Sequence, residues 1–396
     1  MNPPTGLGVA LLSSGIIAIT YGLARFVFGL LLPDIRTEMA FGEAAAGVIG
    51  ALPFVSFIAG ILAGPRFAHY LSVRWAAAGA AGLAMLGLLL IAGAPTTLVL
   101  GLGVTVCGLS TGLSSPVMAE AVFRYVPAGF RGRANATVNA GTSLGIALSI
   151  PFVLWWESAW RSVYQSFAAI ALLGAVAALL YLPGRLARPS RAPGGSSEAT
   201  AGPGGWGAIA RLTGLAGAMG FVSAAYWVFA PDFAVHAGGL SGNQTALMWL
   251  AVGLVGLSGG SAGDLISRHG PARTHALALA VMSASLLLLA GDPGSPLLAV
   301  VSAGIFGAGY MTLTGFYLVR SVEIMVHRPA VGPVLPLIAT SCGQVAGSAV
   351  AGAAIASQGY ITVFCAFAAV GLVVAVLSLR FADAGAGIMP SSGEGS

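Results

Sequence analysis

The sequence predicts an all-α polytopic membrane protein with twelve transmembrane helices, and its composition is the first observation that supports this fold class. Hydrophobic residues make up 57% of the 396 residues and charged residues only 7%, with a mean hydropathy of +0.92. Soluble domains carry about 25% charged residues. The expected environment is therefore the lipid bilayer, and the net charge of +5 does not indicate nucleic-acid binding.

The second observation is a recurring apolar window of about 20 residues, the length of helix that crosses a bilayer. Twelve such windows occur, and we number them spans 1 to 12. They cover residues 8–32, 43–63, 74–94, 97–123, 134–156, 161–183, 208–231, 243–263, 273–291, 296–319, 331–355 and 360–382.

The third observation is the distribution of arginine among the loops. Alternate loops and the C-terminal tail hold 14 arginines, whereas the remaining loops hold two, Arg36 and Arg161. Because cytoplasmic loops are the basic ones, this split predicts a multi-pass protein of the cytoplasmic (inner) membrane with both termini in the cytoplasm. We call the two sides the arginine-rich face and the acidic face. The acidic face carries Asp34, Glu38, Glu43, Glu157, Asp232 and Asp292.

The chain divides into two six-helix bundles. Residues 184–206 are rich in Gly, Pro and Ser and predict a cytoplasmic linker between bundles at 1–183 and 207–382, while 383–396 predicts a disordered tail. Three pairs of positions, 198 to 202 residues apart, indicate an internal duplication. They are Pro33-Asp34 with Pro231-Asp232, Gly60 with Gly260, and Gly141-x-x-x-Gly145 with Gly343-x-x-x-Gly347.

Arg25 is the only charge in the middle of a predicted span. A charge at the bilayer centre costs about 2.5–3.5 kcal/mol on insertion scales, and arginine does not deprotonate in proteins. Since no Asp or Glu lies in the middle third of another span, we expect an anionic ligand to supply the counter-charge. The alternative is a structural arginine that bonds backbone carbonyls where a glycine loosens a neighbouring helix.

The loop after span 8 carries a sequence motif. It reads GSAGDLISRHGPAR over residues 260–273 and resembles the signature loop of the major facilitator superfamily. This resemblance implies a cytoplasmic latch formed by Asp264, Arg268 and Arg273, which Glu323 could join. The equivalent loop in the first half keeps Arg66 but has no aspartate. The alternative interpretation is ordinary charged loop residues.

Further positions are similar to the same family. Trp160-Arg161 opens span 6 as the family's usual Trp-Arg pair does, and YGLARF at 21–26 resembles the YbfB/YjiJ-type branch. The resemblance implies two bundles that rock about a central cavity lined by spans 1, 4, 7 and 10, in a protein that acts as a monomer. The span-4 arginine of many proton-coupled members is absent.

Several polar and aromatic side chains are candidates for that cavity. Positions 21, 25 and 28, and positions 310, 314 and 317, each fall on one face of an ideal helix. The candidate substrate-binding residues are Tyr21, Arg25, Phe28, Asn139, Tyr226, Tyr310, Thr314, Tyr317 and Gln344. One arginine among hydroxyl groups and aromatic rings fits a small organic anion such as a monocarboxylate. For the tyrosines, a role in helix packing or at the membrane interface is expected at least as much as contact with a ligand.

Glu120, near the end of span 4, has two interpretations. Arg124 at i+4 could neutralise it, or it could face the cavity and take up a coupling proton. The expected activity is secondary active transport without a cofactor, because there is no phosphate-binding loop and no lysine. The alternatives are efflux of hydrophobic drugs or secondary metabolites by proton antiport and, from another class, a membrane sensor or enzyme.

Overall fold

The structure is a computed structural model that describes residues 6–157, 159–184, 203–325 and 332–381. Within those ranges, twelve helices are long and apolar enough to cross a membrane, which confirms the predicted number. They are α1 (Gly6–Met39), α2 (Glu43–Gly64), α3 (Val73–Ala92), α4 (Thr97–Tyr125), α5 (Ala128–Trp156), α6 (Trp160–Tyr181), α7 (Trp206–His236), α8 (Gly242–His269), α9 (Pro271–Gly291), α10 (Pro296–Ile324), α11 (Val334–Gln358) and α12 (Tyr360–Arg380).

Two helices extend well beyond their predicted ends. We placed the end of span 1 before Pro33 and the end of span 7 at Pro231, but both prolines lie inside helices that continue to Met39 and His236. Proline is tolerated within membrane helices because neighbouring helices and side chains satisfy the freed backbone groups. The segment around Asp232, predicted as a loop, is therefore helical, and this places its carboxylate inside the protein.

The two halves of the chain use the same helix pairings. In the first half α1 packs on α5, α2 on α4 and α3 on α6, and in the second half α7 packs on α11, α8 on α10 and α9 on α12. The predicted linker 184–206 lies mostly outside the described residues, as does the predicted tail 383–396.

Paired glycines explain the closest of these contacts. A Cβ at Gly141 or Gly145 of α5 would overlap the backbone of α1, and a Cβ at Gly343 or Gly347 of α11 would overlap the backbone of α7. Small residues allow helices to approach this closely in lipid. The repeated Gly-x-x-x-Gly sequence thus produces the same contact in both halves.

The two bundles meet along three helix pairs, α1–α7, α2–α11 and α5–α8. At the first, Gly29 lies directly on the Trp227 carbonyl, and at the second, Gly47 packs on Gly352. Residues 222–234 of α7 are all buried. The half of α7 nearest the acidic face is therefore sealed on every side.

Candidate functional site

The centre of α1 is not an ordinary α-helix. Residues Ala18–Phe26 form a π-helix. This conformation is rare in proteins, and where it occurs it is often at a functional site. Two side chains from other helices bond its carbonyls: the Thr111 hydroxyl donates to the Thr20 carbonyl at 2.7 Å, and the Trp249 indole N–H donates to the Phe26 carbonyl at 3.2 Å. The widened turn is thus held in place from both bundles.

Arg25 lies in the last turn of this π-helix and is 6% exposed. Its Nη2 donates to Gln344 Oε1 at 3.2 Å, while its Nε is buried without a hydrogen-bond partner among the described residues. The ion pairs found in the described part of the chain do not include Arg25. Its positive charge is therefore buried against a neutral amide, which leaves it uncompensated.

Four aromatic rings surround the guanidinium. Its Cζ lies 4.4 Å from the Phe57 ring centroid and 4.7 Å from that of Phe54. The Phe26 and Tyr21 centroids lie at 5.2 and 5.7 Å. Each ring face contributes about 0.5–2 kcal/mol by cation–π attraction. The rings stabilise the charge in part, and they form an apolar wall around it.

The second bundle completes the site through Gln344 of α11 and Tyr310 of α10. Gln344 Nε2 donates to the Tyr310 hydroxyl at 3.2 Å. The Trp227 ring of α7 stacks on Phe26 at 4.2 Å and stands edge-on to Tyr310 at 5.0 Å. The site is therefore shared between bundles, with the cation on one and its polar partners on the other.

Of the predicted substrate-site residues, the structure brings Tyr21, Arg25, Tyr310 and Gln344 together. Phe28 is buried but is not one of the rings around the guanidinium, and Phe26 lies there instead. Tyr21 therefore lies beside Arg25 as predicted, and the role of Phe28 stays a prediction.

Two predicted tyrosines point elsewhere. The Tyr226 hydroxyl bonds Ser302 Oγ at 2.9 Å, and its ring stacks on Phe306. The Tyr317 hydroxyl bonds His275 Nε2 at 2.8 Å. Both contacts lie within the second bundle, so these side chains hold its helices together.

The remaining two candidates, Asn139 and Thr314, do not bond Arg25. Asn139 is exposed, on the part of α5 nearest the arginine-rich face. Thr314 is half-buried and donates its hydroxyl to the Tyr310 carbonyl at 3.0 Å. Thr314 thus lies one helical turn from the site, and Asn139 lies apart from it.

Sequence reasoning missed the burial of His275. This side chain is fully buried between α9 and α10, where it meets Tyr317. Its spacing contained the signal, since Leu279 and Met282 follow at i+4 and i+7 on the buried face of the same helix.

A second polar cluster, also missed, joins the bundles at the acidic face. Arg36 of α1 bonds Glu43 of α2 at 2.6 Å and forms an ion pair with Asp232 of α7. The Tyr360 hydroxyl of α12 donates to the same carboxylate, and His236 Nδ1 lies 3.1 Å from Asp232 Oδ1. We call these five residues the acidic-face cluster. It closes the protein at that face.

The described residues thus form two six-helix bundles with matching helix pairings, and Arg25 lies where the two bundles meet. The family model of the Major Facilitator Superfamily matches residues 15–325. The chain belongs to the major facilitator superfamily. It is thus a multi-pass membrane protein and a secondary transporter rather than an enzyme.

Solved structures of other superfamily transporters share the fold. The nucleoside transporter NupG superposes with a TM-score of 0.74 at 14% identity, over 96% of this chain and 99% of NupG. A bacterial homologue of the human lysosomal transporter Spinster, inward-facing and unoccupied, superposes with a TM-score of 0.69 at 16% identity, over 97% and 96% of the two chains. At such identities the likeness shows the fold alone.

A relative similar in sequence carries the name of a regulatory protein, whereas the proteins of similar structure are named as transporters. The protein described as "Transcription regulatory protein OpdE" of Pseudomonas aeruginosa is 24% identical over 397 residues, which cover 96% of this chain and 95% of that protein. The two proteins thus align along almost their entire lengths.

The superfamily signature loop lies largely within the last part of α8, which consists of a short 3-10 segment, Leu257–Ser261, and a final helical turn region, Ala262–His269. Asp264 and Arg268 are exposed in that turn, and Arg273 is exposed in α9. Arg66 is likewise exposed in the helical turns after α2. The latch of these residues remains a prediction.

Two other charged residues pair within their own helices. Glu323, which could have joined the latch, forms an ion pair with Arg320. Glu120 forms an ion pair with Arg124 one turn away, which is the arrangement expected of a neutralised carboxylate.

The superfamily's Trp-Arg pair has a clear structural role here. Trp160 Nε1 and Arg161 Nε donate to the Glu38 carboxylate at 2.6 and 2.9 Å. Arg161 also donates to the Ala92 and Ala94 carbonyls, each at 2.9 Å. The pair fastens α6 to the end of α1 and to the end of α3.

Proposed function

We propose that this transporter moves a small organic anion, such as a monocarboxylate, by alternating access, with Arg25 as the anion-binding residue. The observation that carries the proposal is the buried Arg25 guanidinium, whose only hydrogen bond among the described residues goes to a neutral amide. Guanidinium groups bind carboxylates strongly because two parallel N–H groups meet two oxygens. A bound anion would neutralise the charge that the protein leaves uncompensated.

The position of the site connects binding with movement of the bundles. Arg25 belongs to the first bundle, whereas Gln344 and Tyr310 belong to the second. An anion held between them would bridge the bundles at the centre, the place around which repeats rock in alternating access. Both bundles lie in one chain, so a monomer supplies the whole site.

The arginine-rich face lies in the cytoplasm in this proposal, with both termini on that side of the inner membrane, as the positive-inside pattern predicts. Coupling to protons, by symport or exchange, also stays a proposal. Its predicted residue is Glu120, although the ion pair with Arg124 favours a structural role.

A second candidate is efflux of hydrophobic compounds by proton antiport, which is favoured by the aromatic rings around Arg25. In that case Arg25 would be structural and held by these rings. A third candidate follows from the name of the Pseudomonas relative. In that case a ligand bound at the same site would act as a regulatory signal.

Ligand-induced thermal stabilisation of the purified protein tests the proposal, since a ligand that binds the native state raises its apparent stability. Wild type and Arg25→Gln are compared against panels of organic anions and lipophilic cations. We expect stabilisation by monocarboxylates in wild type only. Stabilisation by cations, or by anions in both proteins, would contradict an anion site at Arg25.

Transport itself is tested in proteoliposomes with a radiolabelled form of the stabilising anion. Uptake by wild type and its loss in Arg25→Gln support transport through this site. Binding without uptake would favour the regulatory role.

A further inference from the structure

The Gln344 carboxamide lies where a carboxylate would be expected. It is planar, it accepts from Arg25 Nη2 through Oε1, and its other end, Nε2, lies 3.2 Å from the Tyr310 hydroxyl. A carboxylate has the same planar shape, with a second oxygen in place of the nitrogen. The orientation of the amide is fixed by its neighbour, because arginine has donors only and so requires the oxygen.

The donors around this amide outnumber its acceptor. Arg25 Nε is buried and has no hydrogen-bond partner among the described residues. Tyr310 accepts from Gln344, and its hydroxyl proton is able to rotate toward a new acceptor. The only acceptor that Gln344 presents to Arg25 is one neutral oxygen. An acceptor-only, negatively charged group satisfies this set of donors better than an amide does.

Building on the proposed anion site, we infer that Gln344 is a resident competitor of the substrate, so that a carboxylate binds by displacing its carboxamide from between Arg25 and Tyr310. The two carboxylate oxygens accept from the guanidinium fork of Arg25, and one of them also accepts from the Tyr310 hydroxyl through its second lone pair. The direct contact between the bundles is replaced by a contact through the substrate.

The same geometry selects the charge of the substrate. One arginine balances one carboxylate, and the surrounding walls are the rings of Phe54, Phe57 and Phe26. A second carboxylate would lie against those rings without a cation, which is costly for a buried charge. The substrate class is therefore a singly charged carboxylate with an apolar body.

The sharpest test places the carboxylate on the protein itself. Gln344→Glu exchanges the amide for a tethered carboxylate at the same position. We expect a higher melting temperature than wild type and no further rise with acetate, propionate or benzoate. In an Arg25→Gln background the stabilising effect should vanish. Gln358→Glu, the same exchange at the exposed last residue of α11, is the matched control and should not shift the melting temperature.

Gln344→Ala separates a competitor from a direct ligand of the substrate. If the amide competes, its removal tightens binding of the same monocarboxylates, while the dicarboxylate succinate stays without effect. Weaker binding in Gln344→Ala would overturn the inference. A melting temperature of Gln344→Glu below that of wild type would also overturn it. So would an equal rise in melting temperature when Gln344→Glu is made in wild type and in Arg25→Gln. Arg25-dependent stabilisation of wild type by anions, seen together with those results, would leave the proposed function standing.

Discussion

The Arg36 guanidinium and the Asp232 carboxylate form an ion pair that joins the two bundles at the acidic face. The Asp232 side chain is completely buried and that of Arg36 is 9% exposed. Removing one partner of a buried pair costs about 3–5 kcal/mol when the other charge is left uncompensated. Here Glu43 still compensates Arg36 after Asp232 is neutralised, so the lower end of that range is the upper limit. This pair therefore stabilises the conformation in which the acidic face is closed.

Asp232→Asn should open that face. The variant keeps the size of the side chain and removes its charge, so the closed conformation loses a large part of its stabilisation. A cysteine in place of Val228, a buried residue just behind the cluster, reports the opening through its reaction with a water-soluble thiol reagent. We expect labelling to be faster by up to about a hundredfold, as a loss of about 3 kcal/mol implies.

The labelling experiment needs a protein without other reactive thiols and a matched carboxylate. Cys342 and Cys365 are exposed and are replaced first, whereas Cys107 is buried. Asp292→Asn, at an exposed carboxylate on the same face, should leave the labelling rate unchanged. Equal rates in Asp232→Asn and wild type would show that the cluster does not hold the face closed.

Close packing of α1 on α7 makes an independent contribution to the closed conformation. A Cβ at Gly29 would overlap the Trp227 carbonyl oxygen, whereas nothing lies within 4 Å of a Cβ at Gly15 in the same helix. Gly29→Ala should therefore separate the helices and cost about 1–3 kcal/mol, the usual penalty of overpacking. The same cysteine assay should show faster labelling for Gly29→Ala and no change for Gly15→Ala. Labelling of both variants at the rate seen with the original glycines would argue against close packing of α1 on α7 as a barrier to opening.

The sequence was sufficient to predict the number of helices and their approximate positions, because bilayer thickness fixes the length of an apolar segment. The ends of α1 and α7 were not predictable in the same way. Pro33 and Pro231 are typical helix terminators in water, but both lie inside these membrane helices. Helix ends depend on the tertiary packing that satisfies the freed backbone groups.

Part of the candidate site was also predictable. A buried charge is rare enough for Arg25 to be recognised from sequence alone, and Gln344 and Tyr310 were named as polar residues within apolar spans. The acidic-face cluster was not predicted, because Arg36 and Asp232 are 196 residues apart and their pairing depends on how the bundles meet. The π-helix of α1 likewise has no periodic signature, and Phe26 beside the guanidinium was not predicted.

The two tyrosines of α10 should behave in opposite ways. Tyr317→Phe leaves the buried His275 ring without its partner, which costs about 1–3 kcal/mol of stability, and it should not alter anion binding. Tyr310→Phe removes a hydroxyl beside Gln344 and should weaken carboxylate binding about tenfold, the effect of losing one hydrogen bond to a charged group. Melting temperature and ligand titration measured on both variants separate the two roles. Weaker anion binding in Tyr317→Phe would show that Tyr317 contributes to the substrate site.

Arg25→Lys distinguishes recognition by shape from recognition by charge alone. Lysine keeps the positive charge but loses the planar fork that matches a carboxylate. If the fork matters, monocarboxylates should bind at least about tenfold more weakly, since each charge-assisted hydrogen bond contributes about 1.5–3 kcal/mol. A lysine in this buried position is also able to lose its proton, whereas arginine is not. Carboxylate binding should then decline as pH rises in Arg25→Lys and stay constant in wild type over the same range. Titrations at a series of pH values measure both effects, and equal affinities in the two proteins would mean that the site reads only a positive charge.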